Sequence, residues 1–333
     1  KGQLPNHITS SYIKEIEESR ILFVAATAPF TPFYRALDWV VTDPLAAIKD
    51  EIEAHEGQFD VLIVMSHVGV FFDEKLCQEI PEIDVIFGSH THHYFENGEL
   101  NNGVLMAAAG KYGHFLGEVN LTIEHGRVTD KKAKLHPLDA LPQVETHFDE
   151  EGKALLSEPV IDHHVKLQKK TDVITETSYL LAESVYEFTH ADCALVNAGL
   201  IVNSIEADEV TEYDIHRMLP HPINLVRVRL TGEELIRVIK KSQEQEYMHE
   251  HAQGLGFRGD IFGGYILYNL GFIESENRYF INGEEIQTDR QYTLGTVDMY
   301  TFGRYFPILK GLPTDYIMPE FLRDIFKEKL LRF

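Results

Sequence analysis

The chain has 333 residues, 53 acidic against 30 basic, with a formal net charge of −23 and 44% hydrophobic content. That length exceeds one ordinary core and suits two domains with a buried interior. The charge excludes non-specific binding to nucleic acid or anionic membrane, which needs a positive surface, and no apolar run reaches the roughly 18 residues of a membrane span. The two cysteines, Cys77 and Cys193, are too few and too distant for a disulfide framework, so a reducing, cytoplasmic setting is the expectation.

Residues 1 to about 136 read as alternating strands and helices. Ile21–Ala26 is an apolar strand running into a proline-rich loop, Pro29 to Phe33. Asp43-Pro44 opens an amphipathic helix to about His55, with proline in the first turn and Ala46, Ile48 and Ile52 inward. The β-branched run Val61–Ser66 predicts a buried strand. A short helix over Glu74–Ile80 and a strand over Ile83–Phe87 follow. Further strands are expected at Val104–Ala108 and Glu118–Ile123, with turns at Asn102-Gly103 and His125-Gly126. Such alternation predicts an α/β layered domain.

The charged stretch from Phe148 to Lys170 reads as a linker helix, and a second domain begins at Thr171. Its expected elements are a strand at Ala194–Val196, a helix near Tyr213–Met218 and an alternating strand over Leu225–Leu230. Thr231 is a candidate N-cap for the helix after it, and strands follow at Tyr265–Leu270 and Tyr292–Thr296.

Two stretches place histidines just after apolar strands: Met65-Ser66-His67-Val68-Gly69, and Gly88-Ser89-His90-Thr91-His92-His93. In open α/β sheets ligands gather beyond the carboxyl ends of strands. Strand ends fix imidazoles, and imidazole nitrogens suit zinc, manganese and iron. A lone His-x-His is more often plain surface; two such sites after successive strands point to metal. Other motifs carry less. Gly254-Leu255-Gly256-Phe257-Arg258-Gly259 fits G-x-G-x-x-G but follows the polar segment Gln243–Gln253, not a strand, which argues against a dinucleotide site. Arg258 there is a candidate clamp for phosphate or carboxylate. His163-His164 and His249-Glu250-His251 read as surface. No G-x-S-x-G elbow exists, and His93-Tyr94 after His92 breaks the spacing of a metallo-β-lactamase.

Val61–Gly69 followed by Ile83–His92 resembles the second half of the calcineurin-like metallophosphoesterases, 5′-nucleotidase type. The resemblance continues through Gly103–Gly110 and Phe115–Val119, then Leu195–Ile201, Val210–Ile215, Leu219–Asn224 and Arg227–Leu235. It implies a partial four-layer α/β/β/α domain over 1–146, a linker over 147–170, and a 5′-nucleotidase C-terminal α/β domain over 171–333. It also implies two divalent metal ions (Mn, Zn or Fe), His67 and His90 binding one and His92 the other, hydrolysing phosphate esters of the nucleotide or cyclic-nucleotide kind. The second domain would hold the leaving group and rotate about the linker to deliver it. Asn197, Gly199, Asn224, Arg258, Phe262, Tyr265, Phe302 and Arg304 are the expected substrate contacts, with Tyr305 a further candidate ring. Departures from the family pattern are Val202 in place of Arg, His221 in place of an aromatic, and Arg304 in place of an Asp. The family's Asp-x-His pair, bridging Asp and Asn-His-Glu loop have no counterpart in these residues. A chain truncated at its N-terminus and inactive by itself is therefore the expectation. The competing class is a non-catalytic module that binds a nucleoside or another small molecule.

Overall fold

A computed structural model describes residues 4–142, 146–244, 248–249, 251 and 254–332. The chain divides into two compact units, Lys1–Glu145 and Thr146–Phe333.

The first unit contains β1 (Ser11–Ile16), β2 (Ser19–Thr27), α1 (Thr31–Ala36), α2 (Pro44–Ala54), β3 (Val61–His67), α3 (Val70–Glu79), β4 (Val85–Gly88), β5 (Glu99–Asn101), β6 (Val104–Ala107), β7 (Phe115–Glu124) and β8 (Arg127–Pro137). Six strands form one sheet in the order β1-β2-β3-β4-β6-β5. The inner four are parallel, with Thr27 opposite His67, Ser66 opposite Gly88 and Phe87 opposite Ala107. Both sheet faces are covered. Leu22, Val24, Leu62, Val64 and Ile86 pack with Ile48 of α2 and Leu76 and Cys77 of α3. Ile21, Val61, Ile63, Val85 and Leu105 pack on Val119, Leu121, Ile123, Val128 and Ala133 of the β7–β8 hairpin. A parallel strand buried on both sides needs an unbroken apolar run, which is what Val61–Val64 supplies. The α2 start is as expected: Oδ1 of Asp43 accepts the N–H of Ala46 at 2.9 Å, with Pro44 in the first turn. α3 begins at Val70, earlier than the sequence suggested, because Gly69 turns the chain at φ 113°.

The second unit contains α4 (Phe148–Leu155), β9 (Pro159–Ile161), β10 (Val165–Leu167), α5 (Glu176–Thr189), β11 (Cys193–Asn197), β12 (Ile205–Ala207), β13 (Val210–Thr211), α6 (Glu212–Met218), β14 (Asn224–Thr231), α7 (Gly232–Ser242), β15 (Tyr265–Tyr268), β16 (Leu270–Ile273), β17 (Arg278–Ile281), β18 (Glu284–Glu285), β19 (Gln291–Val297), β20 (Thr314–Phe321) and α8 (Leu322–Leu330). Its main sheet has the order β15-β11-β19-β14-β20, with only β11 and β19 parallel. Thr231 caps α7 as expected: its Oγ1 accepts the N–H of Glu234, whose carboxylate accepts the N–H of Thr231 at 2.7 Å.

The linker helix over Phe148–Lys170 is corrected. The helix ends at Leu155, and 159–161 and 165–167 are strands pairing with β13 and β12. Pro159 forces this, since its ring disfavours a helical residue before it and it lacks an N–H. His163 and His164 are exposed, in the turn between those strands. Part of the Gln243–Gln253 stretch, including Glu250 of His249-Glu250-His251, lies outside the described residues.

Candidate metal centre

The carboxyl ends of β2, β3 and β4 lie side by side, so the segments that follow them meet. His67 is the last residue of β3, and its carbonyl accepts the N–H of Ala28 at 2.9 Å, which ties the loop after β2 to it. The loop after β4 carries His90 and His92, both in the left-handed region at φ 69° and 54°. Non-glycine residues in that region are uncommon, and this short loop holds two of them. Thr91 between them anchors the loop. Its Oγ1 accepts the N–H of Val70 at 3.1 Å and lies 2.9 Å from Nδ1 of His93.

This geometry brings the His67 and His90 rings to a centroid separation of 5.4 Å at 61°. The Phe30 ring, from the loop after β2, lies 5.5 Å from that of His90. Burial first, then the neighbouring His67 and His92, holds the pKa of His90 below the usual imidazole value. A neutral ring keeps a lone pair free, the form that binds metal. His92 acts on His90 electrostatically but does not close a three-ligand cluster with it. Among the described residues no group of three His, Cys, Asp or Glu side chains could hold a metal ion. The pair His67 and His90 therefore fits part of a metal site, with donor chemistry suited to a borderline divalent cation.

One residue near this edge escaped the sequence reading. Asp73, on the inward side of α3, is 4% exposed. A Cβ built on Gly88 would stand 2.6 Å from its Oδ2, and its Oδ1 has no hydrogen-bond partner. Burial pushes its carboxyl up to about 6.

In the second unit most of the expected substrate residues are in the core. Asn197 is fully buried; its Nδ2 donates to the Phe262 carbonyl at 2.6 Å and its Oδ1 accepts from Tyr300 at 2.7 Å. At Gly199 a Cβ would stand 1.9 Å from the Ile261 carbonyl, so glycine is required by close backbone approach. Asn224 donates to the carbonyls of Pro319 and Glu320. Phe262, Tyr265 and Tyr305 are buried, with Phe262 and Tyr305 rings 4.2 Å apart. His221 is buried between Leu200 O and the Arg258 N–H and stacks on Phe257; burial drives its pKa down to about 4. Arg258 and Arg304 are exposed and Phe302 is half-buried; Nη1 of Arg258 donates to the Phe257 carbonyl at 3.3 Å, and the Arg304 guanidinium lies 5.3 Å from the centre of the Tyr305 ring. A cavity beside Ala198, Gly264 and Tyr265 holds about 200 Å³, below the roughly 300 Å³ at which small-molecule sites begin. A larger cleft, about 740 Å³ and lined by α5 and α8, contains none of the expected residues.

Histidines at the edge of a covered parallel sheet, followed by a mixed-sheet unit, suit a metallophosphoesterase build. The comparisons agree. The 5′-nucleotidase C-terminal domain family matches residues 160–310. The uncharacterized metallophosphoesterase YunD of Bacillus subtilis is 35% identical over 99% of this chain and 75% of its own length. The chain thus belongs to the 5′-nucleotidase/metallophosphoesterase family, whose members are hydrolases. A 5′-nucleotidase of Vibrio vulnificus is 24% identical over 83% of this chain, which spans about half (53%) of that relative. Similar folds are a candidate 5′-nucleotidase of Staphylococcus aureus (TM-score 0.66, 14% identity, 96% of this chain and 71% of that one) and the NAD nucleotidase of Haemophilus influenzae (TM-score 0.57, 14% identity, 98% and 73%).

Proposed function

We propose that the protein hydrolyses phosphate esters, nucleotides among them, at a two-metal centre to which His67 and His90 contribute one pair of ligands and His92 a third. The observation that carries this reading is the His67–His90 pairing at adjacent parallel strand ends. Divalent metal there would polarise the phosphoryl oxygens and acidify a bound water. The chain's own part is to hold neutral imidazoles in place: His67 by its strand end, His90 by a loop pinned through Thr91. Taken by itself, the second unit offers Arg258 and Arg304 as candidate contacts for an anionic group of a ligand.

The pair supplies no negative charge to offset a dication. A dication held by these two imidazoles alone is bound weakly, and turnover that depends on them alone is slow. Phosphate release from a panel of nucleoside monophosphates with Mn2+ or Zn2+ tests the reading. It expects slow release that chelation abolishes and that His90→Ala lowers at least tenfold. Release indifferent to both changes contradicts it, and turnover near the roughly 10 s⁻¹ of typical enzymes contradicts the weak-centre part. The second reading, a nucleoside-binding module, rests on the lack of a three-ligand cluster among the described residues. It expects nucleoside binding that chelation leaves unchanged.

A further inference from the structure

The first turn of α3 is built against the loop that carries the histidines. The Val70 N–H donates to Oγ1 of Thr91 at 3.1 Å. At Gly69, which turns the chain into the helix, a Cβ would stand 3.0 Å from Cγ2 of Thr91 and 3.6 Å from Cδ2 of His90. One turn on, Asp73 sets its Oδ2 against Gly88, which ends β4 two places before His90. Gly88 lies opposite Ser66 in the sheet, and Ser66 precedes His67. A single carboxylate therefore lies behind both strand ends from which the paired imidazoles spring.

Two polar atoms at this spot are unpaired. Asp73 and Ser66 are 4% and 2% exposed, and among the described residues neither Oδ1 of Asp73 nor Oγ of Ser66 has a hydrogen-bond partner. The Ser66 hydroxyl still acts on the Asp73 carboxyl, so the two groups are neighbours. A buried polar group without a partner destabilises a fold, and native proteins pair the great majority of theirs. Two such groups side by side, at the root of a candidate metal site, are kept against stability.

We propose that Asp73 is a positioning residue of the metal centre: its carboxylate, with the Ser66 hydroxyl, fixes the ends of β3 and β4 at the spacing that lets His67 and His90 hold one cation. The inference rests on the proposed function and adds to it a residue outside the ligand set. Asp73 acts through Ser66 on His67 and through Gly88 on His90. It also sets a negative charge behind two rings that supply none. Groups behind metal ligands orient them, and losing one commonly weakens metal binding roughly 10–100-fold.

The test uses the full chain, with Zn2+ in calorimetry and Co2+ in visible absorption, where the band of the bound ion reports ligand geometry. The parent is expected to bind both ions. Asp73→Asn, nearly the same shape, is expected to melt in EDTA close to the parent, to bind Zn2+ at least tenfold more weakly and to shift the Co2+ band. Ser66→Ala is expected to lose at least threefold. The double variant Asp73→Ala with Gly88→Ala separates filling from positioning, because the new methyl group enters the space the carboxylate leaves. It is expected to recover the melting temperature lost by Gly88→Ala alone and to keep the weak Zn2+ binding. Recovery of both makes Asp73 a spacer and overturns the proposal, as do parent-like Zn2+ affinity and Co2+ absorption in Asp73→Asn. If Asp73→Asn does not fold, Ser66→Ala decides, and parent-like affinity there overturns the proposal. A parent that binds neither ion overturns the metal-centre reading itself, a separate result that takes this inference with it.

Discussion

Oδ2 of Asp73 occupies the space where Gly88 would carry a side chain: a Cβ there would be 2.6 Å away. Asp73 lies on α3, and Gly88 ends β4 two residues before His90. The contact therefore couples the helix to the loop that presents the imidazole. Gly88→Ala must displace the buried Asp73 carboxylate. Overpacking of this kind costs about 1–3 kcal/mol. The expected result is a lower melting temperature together with weaker Zn2+ binding, read by thermal denaturation and calorimetry. Unchanged stability and metal binding would show that the helix and loop move independently.

In the second unit Oδ2 of Asp298 accepts the N–H of Asn224 at 3.2 Å, while Oδ1 is buried without a partner. Burial raises this carboxyl to about 7 from an ordinary 3.8. The folded state then keeps a proton that the unfolded state has released between those values. Stability therefore falls as pH rises from about 4 to about 7. Asp298→Asn keeps the shape and removes the charge. It is expected to be near neutral at pH 4 and more stable than the parent at pH 8, by on the order of 2 kcal/mol. Urea melts at the two pH values measure this. A parent and variant that differ equally at both would remove buried ionisation as the cause.

Asn197 tests the assignment of a polar strand-end residue to the core. It bridges the Phe262 carbonyl and the Tyr300 hydroxyl. Asn197→Leu leaves the buried Tyr300 hydroxyl without its acceptor, while the Phe262 carbonyl keeps the N–H of Gly199; one unsatisfied buried group costs about 1–3 kcal/mol. The expected outcome is strong destabilisation of the second unit, visible in its denaturation midpoint. A stable variant with weakened nucleotide binding would return Asn197 to the surface of a binding site.

Much of this fold is legible before any coordinates. The apolar β-branched run at Val61–Val64 announces a strand buried on both sides, and Asp43-Pro44 announces the start of α2. What stayed hidden depends on long-range register. A polar residue at a strand end reads the same facing solvent or core, so Asn197, Gly199 and Asn224 looked like ligand contacts. An acid in the first turn of a helix is ordinary. Only the packing of α3 on β4 puts Asp73 against Gly88. The charged run after Phe148 looked helical throughout, although Pro159 in it already carried the stop signal. Pro29 to Phe33 read as loop, although α1 begins at Thr31, and nothing local says that Phe30 will lie against the His90 ring.

The central claim is that His67 and His90 share a divalent cation. The direct measurement is calorimetric titration of the full chain with Zn2+, beside His67→Ala, His90→Ala and the double variant. The account predicts weak, saturable binding in the parent. It predicts a loss of at least tenfold in each single variant and little further loss in the double, because the two rings serve one ion. Binding that survives both substitutions, or losses that simply add, would contradict it.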